Sequence, residues 1–402
     1  MKTIVLIDDA TGGHRDAFMR LFSKACLEIG VKVICIYPDI SIIKTWMEQH
    51  APTSSDKIIY IENNFLISKL KNGIFSHPLS MVKEWKNRSA FLKKLEKKLA
   101  LKIDLVFFNW MDSQLANNIP PLIIDTVFPY KWSGLYFHPT IFRMEPNYLQ
   151  KKLSFRDIDS VFLAKNCKAI TFHDEGLTDR YQTRIKKQVI LFPEIADITS
   201  PNTQQSLAKT IKEKAKGRIV IGTIGLEKHK GCLSIIRLCK HADASKFFFA
   251  FTGIFTDQLL SNFNTAERKE IHSFKNNLPE NAIWQTGALQ EGEEYNSVFC
   301  SFDIIYIIYN NFFSSSNRLT KAAYFKKLVL ANNYGCVGDD VPKYQLGETA
   351  DEFNMDEQVQ KIESLRTKIL NNDFPFEQWK TYSEKHSTER LKEKFEELLN
   401  LV

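Results

Sequence analysis

The chain opens on Thr3-Ile-Val-Leu-Ile-Asp-Asp-Ala-Thr-Gly-Gly-His14, and its second half opens the same way with Arg218-Ile-Val-Ile-Gly-Thr-Ile-Gly-Leu-Glu-Lys-His-Lys-Gly231. Each stretch is a short apolar run, too short for a helix and rich in Ile and Val, that ends at a glycine-bearing loop followed by helical periodicity. That is the start of a βαβ unit, and it occurs twice. Working outward, the same alternation predicts strands at Thr3–Ile7, Val31–Tyr37, Lys57–Glu62, Asp104–Trp110, Gly134–Phe137, Ala169–Phe172 and Val189–Phe192. In the second half it predicts Arg218–Gly222, Phe247–Phe251, Ala282–Gln285, Asp303–Tyr309 and Leu328–Ala331. Helical stretches separate most of them, which implies α/β architecture with two Rossmann-like domains.

The predicted organisation is an N-terminal domain over 1–197, a polar linker over 198–216, a C-terminal domain over 217–375 and a helical tail over 376–402. With 402 residues, 44% hydrophobic residues and a net charge of +7, the chain is long enough for two substantial cores. No apolar run approaches the roughly 18 residues of a membrane span. Asp8 and Asp9 fall where an export signal would stay apolar, so a cytoplasmic location is expected. Seven scattered cysteines without a C-x-x-C pair predict buried free thiols, with neither zinc nor disulfides. The mild basicity and the absence of any recognisable module point away from nucleic acid.

Three corners can carry chemistry. Gly12 and Gly13 lie between a strand and a helix, where free N–H groups suit an anion, although a ligand-free tight turn reads equally well. Gly225, Lys228 and Lys230 line the matching corner of the second half, suited to a diphosphate or simply solvated. The third corner is Ser314-Ser-Ser-Asn-Arg318, where Ser315, Ser316 and Asn317 are good helix caps and Arg318 adds a cation. His14, His138 and His173 each follow a predicted strand, at positions that face the ligand crevice of such sheets. Each can move a proton near neutral pH, hydrogen-bond a ligand or serve as a satisfied core residue. Asp157-Ile-Asp159 has the D-x-D spacing of some metal sites but falls in a helical stretch, so a surface role is expected, and Asp339-Asp340 is expected to shape a loop. Residues 82–102 form a basic amphipathic helix. It suits either a crossover packed on the sheet or peripheral contact with an anionic membrane.

Two Rossmann-like halves, the Gly-Gly loop, Gly222 through Lys230-Gly231, the serine corner leading into Lys321-Ala-Ala-Tyr-Phe-Lys-Lys-Leu-Val-Leu-Ala331 and the helical tail together resemble the GT-B nucleotide-sugar glycosyltransferases. The resemblance covers nearly the whole chain and is architectural. It implies transfer of a sugar from a nucleotide-diphosphate donor, held by the C-terminal domain, to a glycan, lipid-linked or small-metabolite hydroxyl acceptor held by the N-terminal domain. Reaction would occur in a cleft between the domains, without metal. It implies that Lys230 and the helix start at Ser315, Ser316 and Asn317 hold the donor diphosphate with help from Arg318, and that His14 resembles the loop base of inverting members and His138 the crevice histidine of retaining ones; the residue readings add Gly12, Gly13, Gly225 and Lys228 to the donor contacts and His173 to the catalytic candidates. The chain departs from the pattern of retaining members, with Phe313 and Lys321 where two glutamates often stand and Ile224 nearest to a frequent arginine. A nucleotide-sugar epimerase of the same fold, or a protein that binds nucleotide-sugar without turnover, would share most of these features.

Overall fold

A computed structural model describes residues 1–63, 78–139, 141–145, 154–202 and 204–402. The chain divides into two units, Met1–Ile195 with Ser387–Val402, and Ala196–His386.

The first unit is built on β1 (Thr3–Ile7), β2 (Lys32–Tyr37), β3 (Ile58–Glu62), β4 (Leu105–Phe108) and β5 (Trp132–Gly134), all parallel in the order β3-β2-β1-β4-β5. A parallel pair, β6 (Ile170–Phe172) and β7 (Val189–Leu191), joins the β5 edge through bridges from Trp132 to Cys167 and from Leu135 to Thr171. Strands covered on both faces read as unbroken apolar runs, and Ile4 through Leu6 are fully buried. The chain runs outward from β1 through β2 to β3 and then returns to β4 on the other side of β1. That reversal makes the carboxyl ends of β1 and β4 the place where such a sheet opens a crevice.

The second unit repeats the plan with β8 (Ile219–Ile224), β9 (Phe247–Gly253), β10 (Ala282–Thr286), β11 (Ile304–Ile307), β12 (Leu328–Asn332) and β13 (Gly347–Ala350). Its parallel order is β10-β9-β8-β11-β12-β13, so its reversal falls between β8 and β11.

Several expectations change. The segment 198–216 is not all linker, since Ser206–Ala215 is a helix of the second unit whose Ile211 and Ala215 join its core. The tail over 376–402 divides between the units. The helix Phe376–Lys385 stays with the second, while Thr388–Leu399 packs on the first, where Phe395 meets Phe22, Phe107 and Phe192 with ring centroids 5.1–5.4 Å apart. Strand β13 lacked an apolar run to announce it, and β5 starts two residues before the predicted Gly134–Phe137. Asp159 is not on the surface. It is fully buried, contacted by the Arg184 guanidinium at 3.4 Å and the Tyr181 hydroxyl at 3.2 Å, because its 3-10 turn Ile158–Leu163 packs into the core. Asp339 and Asp340 lie inside the helix Gly335–Lys343 rather than in a loop. All seven cysteines are free, six of them buried and Cys300 half-buried. Among the described residues no helix is long and apolar enough to cross a membrane.

Candidate functional site

In the second unit the turn Lys228–Lys230 connects β8 to the helix Cys232–His241. Gly231 closes that turn at φ +74°, and a Cβ built there would lie 2.0 Å from the Ile308 carbonyl oxygen. Only glycine allows the turn to lie this close to the end of β11, and the Asn310 N–H donates to the His229 carbonyl at 2.8 Å to hold it there. Lys230 is thereby brought to the reversal between β8 and β11.

Arg318 arrives at the same place from the helix Asn317–Tyr324. Its guanidinium is buried, donates to the Ile224 carbonyl and to Thr223 Oγ1 (3.4 Å), and lies 5.6 Å from the Tyr309 ring centroid. A Cβ on Gly225 would sit 3.2 Å from Lys230 Nζ and 3.6 Å from an Arg318 guanidinium nitrogen, so the two cations flank this glycine. Ile224 is the residue that the resemblance places at a frequent arginine. The Arg318 guanidinium reaches the Ile224 carbonyl from a helix 94 residues further along the chain.

Ser316 is the N-cap of Asn317–Tyr324, and its hydroxyl accepts the Arg318 N–H at 3.4 Å. Ser314 and Ser315 are also buried. Burial and the Arg318 guanidinium press the Lys230 ammonium below its usual range, and Glu227, 2.8 Å away, offsets this only in part. Two cations and one carboxylate beside the start of Asn317–Tyr324 give this corner the chemistry to take an anion. Lys228 is not part of it, because its ammonium is turned to Glu267 at 2.6 Å.

Lys321 and Phe313, where the resemblance would place glutamates, both make structural contacts. Lys321 is buried and donates to the Asp197 carbonyl (2.8 Å), Glu291 (2.8 Å) and Asn296 Oδ1 (2.6 Å), tying down the entry to the unit. The Phe313 ring packs on Tyr334, with centroids 5.0 Å apart.

In the first unit the three histidines meet around Phe137. Ring centroids of His14, His138 and His173 lie 5.7, 4.5 and 5.5 Å from it, although the chain separates them widely. His138 is exposed, rests against Trp110 (5.4 Å), and has its backbone N–H fixed by Asp112 at 2.8 Å. The protein around its ring, then the charges of His14, Arg15 and His173, push it down to about 4, so it is a neutral proton acceptor at neutral pH. His14 is half-buried at the start of its helix. His173 is buried, with Nδ1 3.2 Å from the Phe192 carbonyl oxygen and Nε2 3.7 Å from Glu194, which places it as a support beneath the cluster.

The Gly12-Gly13 corner is acidic. Asp16 already accepts the Gly12 N–H at 2.9 Å, and Asp9 is paired with Arg88 at 2.8 Å. Arg15 contacts Asp8 and stacks over Trp110 at 4.3 Å. The Gly12 N–H is thus already engaged within the corner. Asp8, Asp112, Arg15 and Trp110 join this neighbourhood through packing alone, and no sequence motif marks them.

Burial pushes the Asp8 carboxyl up to about 7, with Asp9 adding to the effect and Arg15 opposing it, and burial lifts Asp112 to about 6. A carboxyl raised from 3.8 to about 7 on folding contributes stability that is complete below pH 4 and lost as pH rises through 7. Asp8→Asn should therefore melt at an increasing advantage over the wild type from pH 4 to 7. Melting temperatures across that range check this, and parallel curves would refute the assignment.

No protein-family model matches the chain, and no curated protein matches its sequence. Solved structures do. Sucrose-phosphate synthase from Thermosynechococcus elongatus aligns at 14% identity and a TM-score of 0.67, over 100% of this chain and 98% of that one. HepE from Anabaena, solved with UDP and glucose, aligns at 13% identity and a TM-score of 0.63, over 100% of both. A glycosyltransferase from Rickettsia africae aligns at 15% identity and a TM-score of 0.61, over 99% of this chain and 98% of that one. Along its whole length the chain has the fold of these proteins, the GT-B fold of two Rossmann-like units.

Proposed function

We propose that the protein is a glycosyltransferase that moves a sugar from a nucleoside-diphosphate-sugar to a hydroxyl acceptor, a glycan, lipid-linked sugar or small metabolite. The observation that carries this reading is the placement of Lys230 and Arg318 about Gly225, beside the Ser316-capped helix at the β8–β11 reversal. Two cations and a helix start meet the charge of a diphosphate and stabilise it as it leaves, when its charge grows. That HepE was solved with UDP and UDP-glucose supports a uridine donor as the first choice. In the first unit, His138 and His14 beside Trp110 and Phe137 supply what an acceptor sugar needs, an aromatic face and a neutral base. No step in this reading uses a metal. Free cysteines suit a reducing compartment, which supports a cytoplasmic location.

A thermal-shift series with UDP, GDP, ADP, CMP and their sugar conjugates, with and without magnesium, tests it. One nucleotide should raise the melting temperature without metal. No shift with any of them would remove the donor site. His138→Ala or His14→Ala should lower turnover of the sugar nucleotide, followed as nucleotide release, by roughly 100-fold while leaving nucleotide affinity near the wild type. Unchanged turnover in both variants would end the histidine assignment. A second reading, binding without turnover, is favoured by Lys321 and Phe313 occupying the places of the two glutamates. Nucleotide binding with neither transfer nor hydrolysis would select it.

A further inference from the structure

The helix Pro78–Leu99 divides its residues sharply between two faces. Met81, Trp85, Leu92 and Leu95 are buried, and the Trp85 ring packs on Phe108, Phe128 and Trp132 with centroids 5.0–5.1 Å apart. The apolar face is thus consumed by the core and cannot itself enter a membrane. The opposite face carries Lys83, Lys86, Lys93, Lys94, Lys97 and Lys98, all exposed. At 3.6 residues per turn these six fall within an arc of about 140°, along roughly 22 Å of helix.

Among the described residues no acid pairs with them. The two glutamates of the helix are directed elsewhere. Glu96 accepts the Ile103 N–H at 2.8 Å and the Tyr130 hydroxyl at 2.9 Å, and Glu84 sits 4.0 Å from the buried Arg88. Other exposed helices of the protein interleave their charges, as Lys44 with Glu48, Lys209 with Glu213 and Lys380 with Glu384. An unbalanced lysine face is costly in self-repulsion and is relieved by an anionic partner.

The same arc begins with an apolar side chain, Leu79, which is 72% exposed. The neighbouring helix Pro121–Val127 packs against Pro78–Leu99 and exposes Leu122 (75%) and Ile123. Exposed aliphatic side chains next to unpaired lysines suit a lipid surface, where the lysines meet headgroups and the aliphatic groups enter the interface. A nucleic acid would use the lysines but leave these leucines unexplained.

We propose that this face docks the protein on an anionic lipid bilayer, with the lysines on the headgroups and Leu79 and Leu122 at the acyl boundary. The inference is independent of the sugar-transfer reading.

The test is co-sedimentation of the full chain with vesicles of phosphatidylcholine alone or with one-third phosphatidylglycerol. Binding is expected to the anionic vesicles only, and to fall steeply as salt rises from ~0.1 to ~0.5 M. Replacing Lys86, Lys93, Lys94 and Lys97 together by Gln should weaken it at least about 100-fold. A control set with the same loss of charge elsewhere, Lys44, Lys209, Lys275 and Lys380 to Gln, should bind like the wild type. Leu79→Ser with Leu122→Ser should weaken binding without changing its salt dependence. An unchanged melting temperature in each variant shows that folding is intact. Absence of vesicle binding, equal binding to neutral vesicles, equal losses in the two lysine sets, or capture by heparin or RNA without capture by vesicles would each overturn the proposal.

Discussion

Lys230→Ala is expected to weaken binding of the nucleoside diphosphate by roughly 10- to 100-fold, the loss of one charge-assisted contact to phosphate. The protein should fold as before. Lys230 is held among protein groups beside the Arg318 guanidinium, and both its burial and that neighbour disfavour its charge. Removing it relieves its repulsion with Arg318, so the melting temperature measured without nucleotide should stay level or rise slightly. Such a combination, weaker binding with undiminished stability, distinguishes a ligand-holding cation from a structural one. Calorimetric titration of wild type and variant with the nucleotide found in the thermal-shift series measures the first quantity, and a melting curve the second. Equal affinities would dismiss Lys230 from the donor site. A large fall in melting temperature would show that its bond to Glu227 at 2.8 Å, rather than a ligand, is its purpose. Arg318→Ala should not separate the two effects, since its guanidinium serves the Ile224 carbonyl and Thr223, and its loss leaves those groups unpaired in a buried place.

Gly231→Ala is the substitution expected to cost most. The residue sits at φ +74°, where a side chain costs about 1–2 kcal/mol. The new methyl would also lie 2.0 Å from the Ile308 carbonyl oxygen, and a backbone atom at the end of a buried strand has little room to move. Together these predict a loss of about 3 kcal/mol, or roughly 6–12 °C in melting temperature for a unit of this size. The turn that carries Lys230 must shift to relieve the clash, so nucleotide affinity should fall as well. Gly12→Ala is an instructive contrast. Its φ is also positive, but a Cβ there meets nothing within 4 Å, so only the backbone cost of about 1–2 kcal/mol applies. Melting of the two variants side by side checks the argument, and equal losses would show that the contact with Ile308 is unimportant.

The candidate site was legible in the sequence to the extent that local chemistry marks it. Lys230, Ser316 and Arg318 stand out because a strand, a glycine turn and a helix cap have signatures a few residues long. Lys228 carries the same local signature as Lys230, yet it turns to Glu267, a residue on a helix far along the chain. Nothing within the loop distinguishes the two lysines. The histidines show the same limit. Each was visible as a residue following a strand, but their convergence on Phe137, and the burial that assigns His173 to support, depend on how β5, β6 and β7 lie side by side.

By itself the sequence determined the repeated α/β plan, twelve of the thirteen strands among the described residues to within a few residues, and the glycine turns, because these follow from the spacing of apolar residues and the steric freedom of single positions. Only the tertiary structure decided which distant groups share a corner. It brought the Arg318 guanidinium to Ile224, used Lys321 to hold the Asp197 carbonyl, turned the apolar face of Pro78–Leu99 inward and returned Thr388–Leu399 to the first unit. Those outcomes are settled by buried groups finding partners, and in a parallel sheet the partners are separated by whole crossovers of chain.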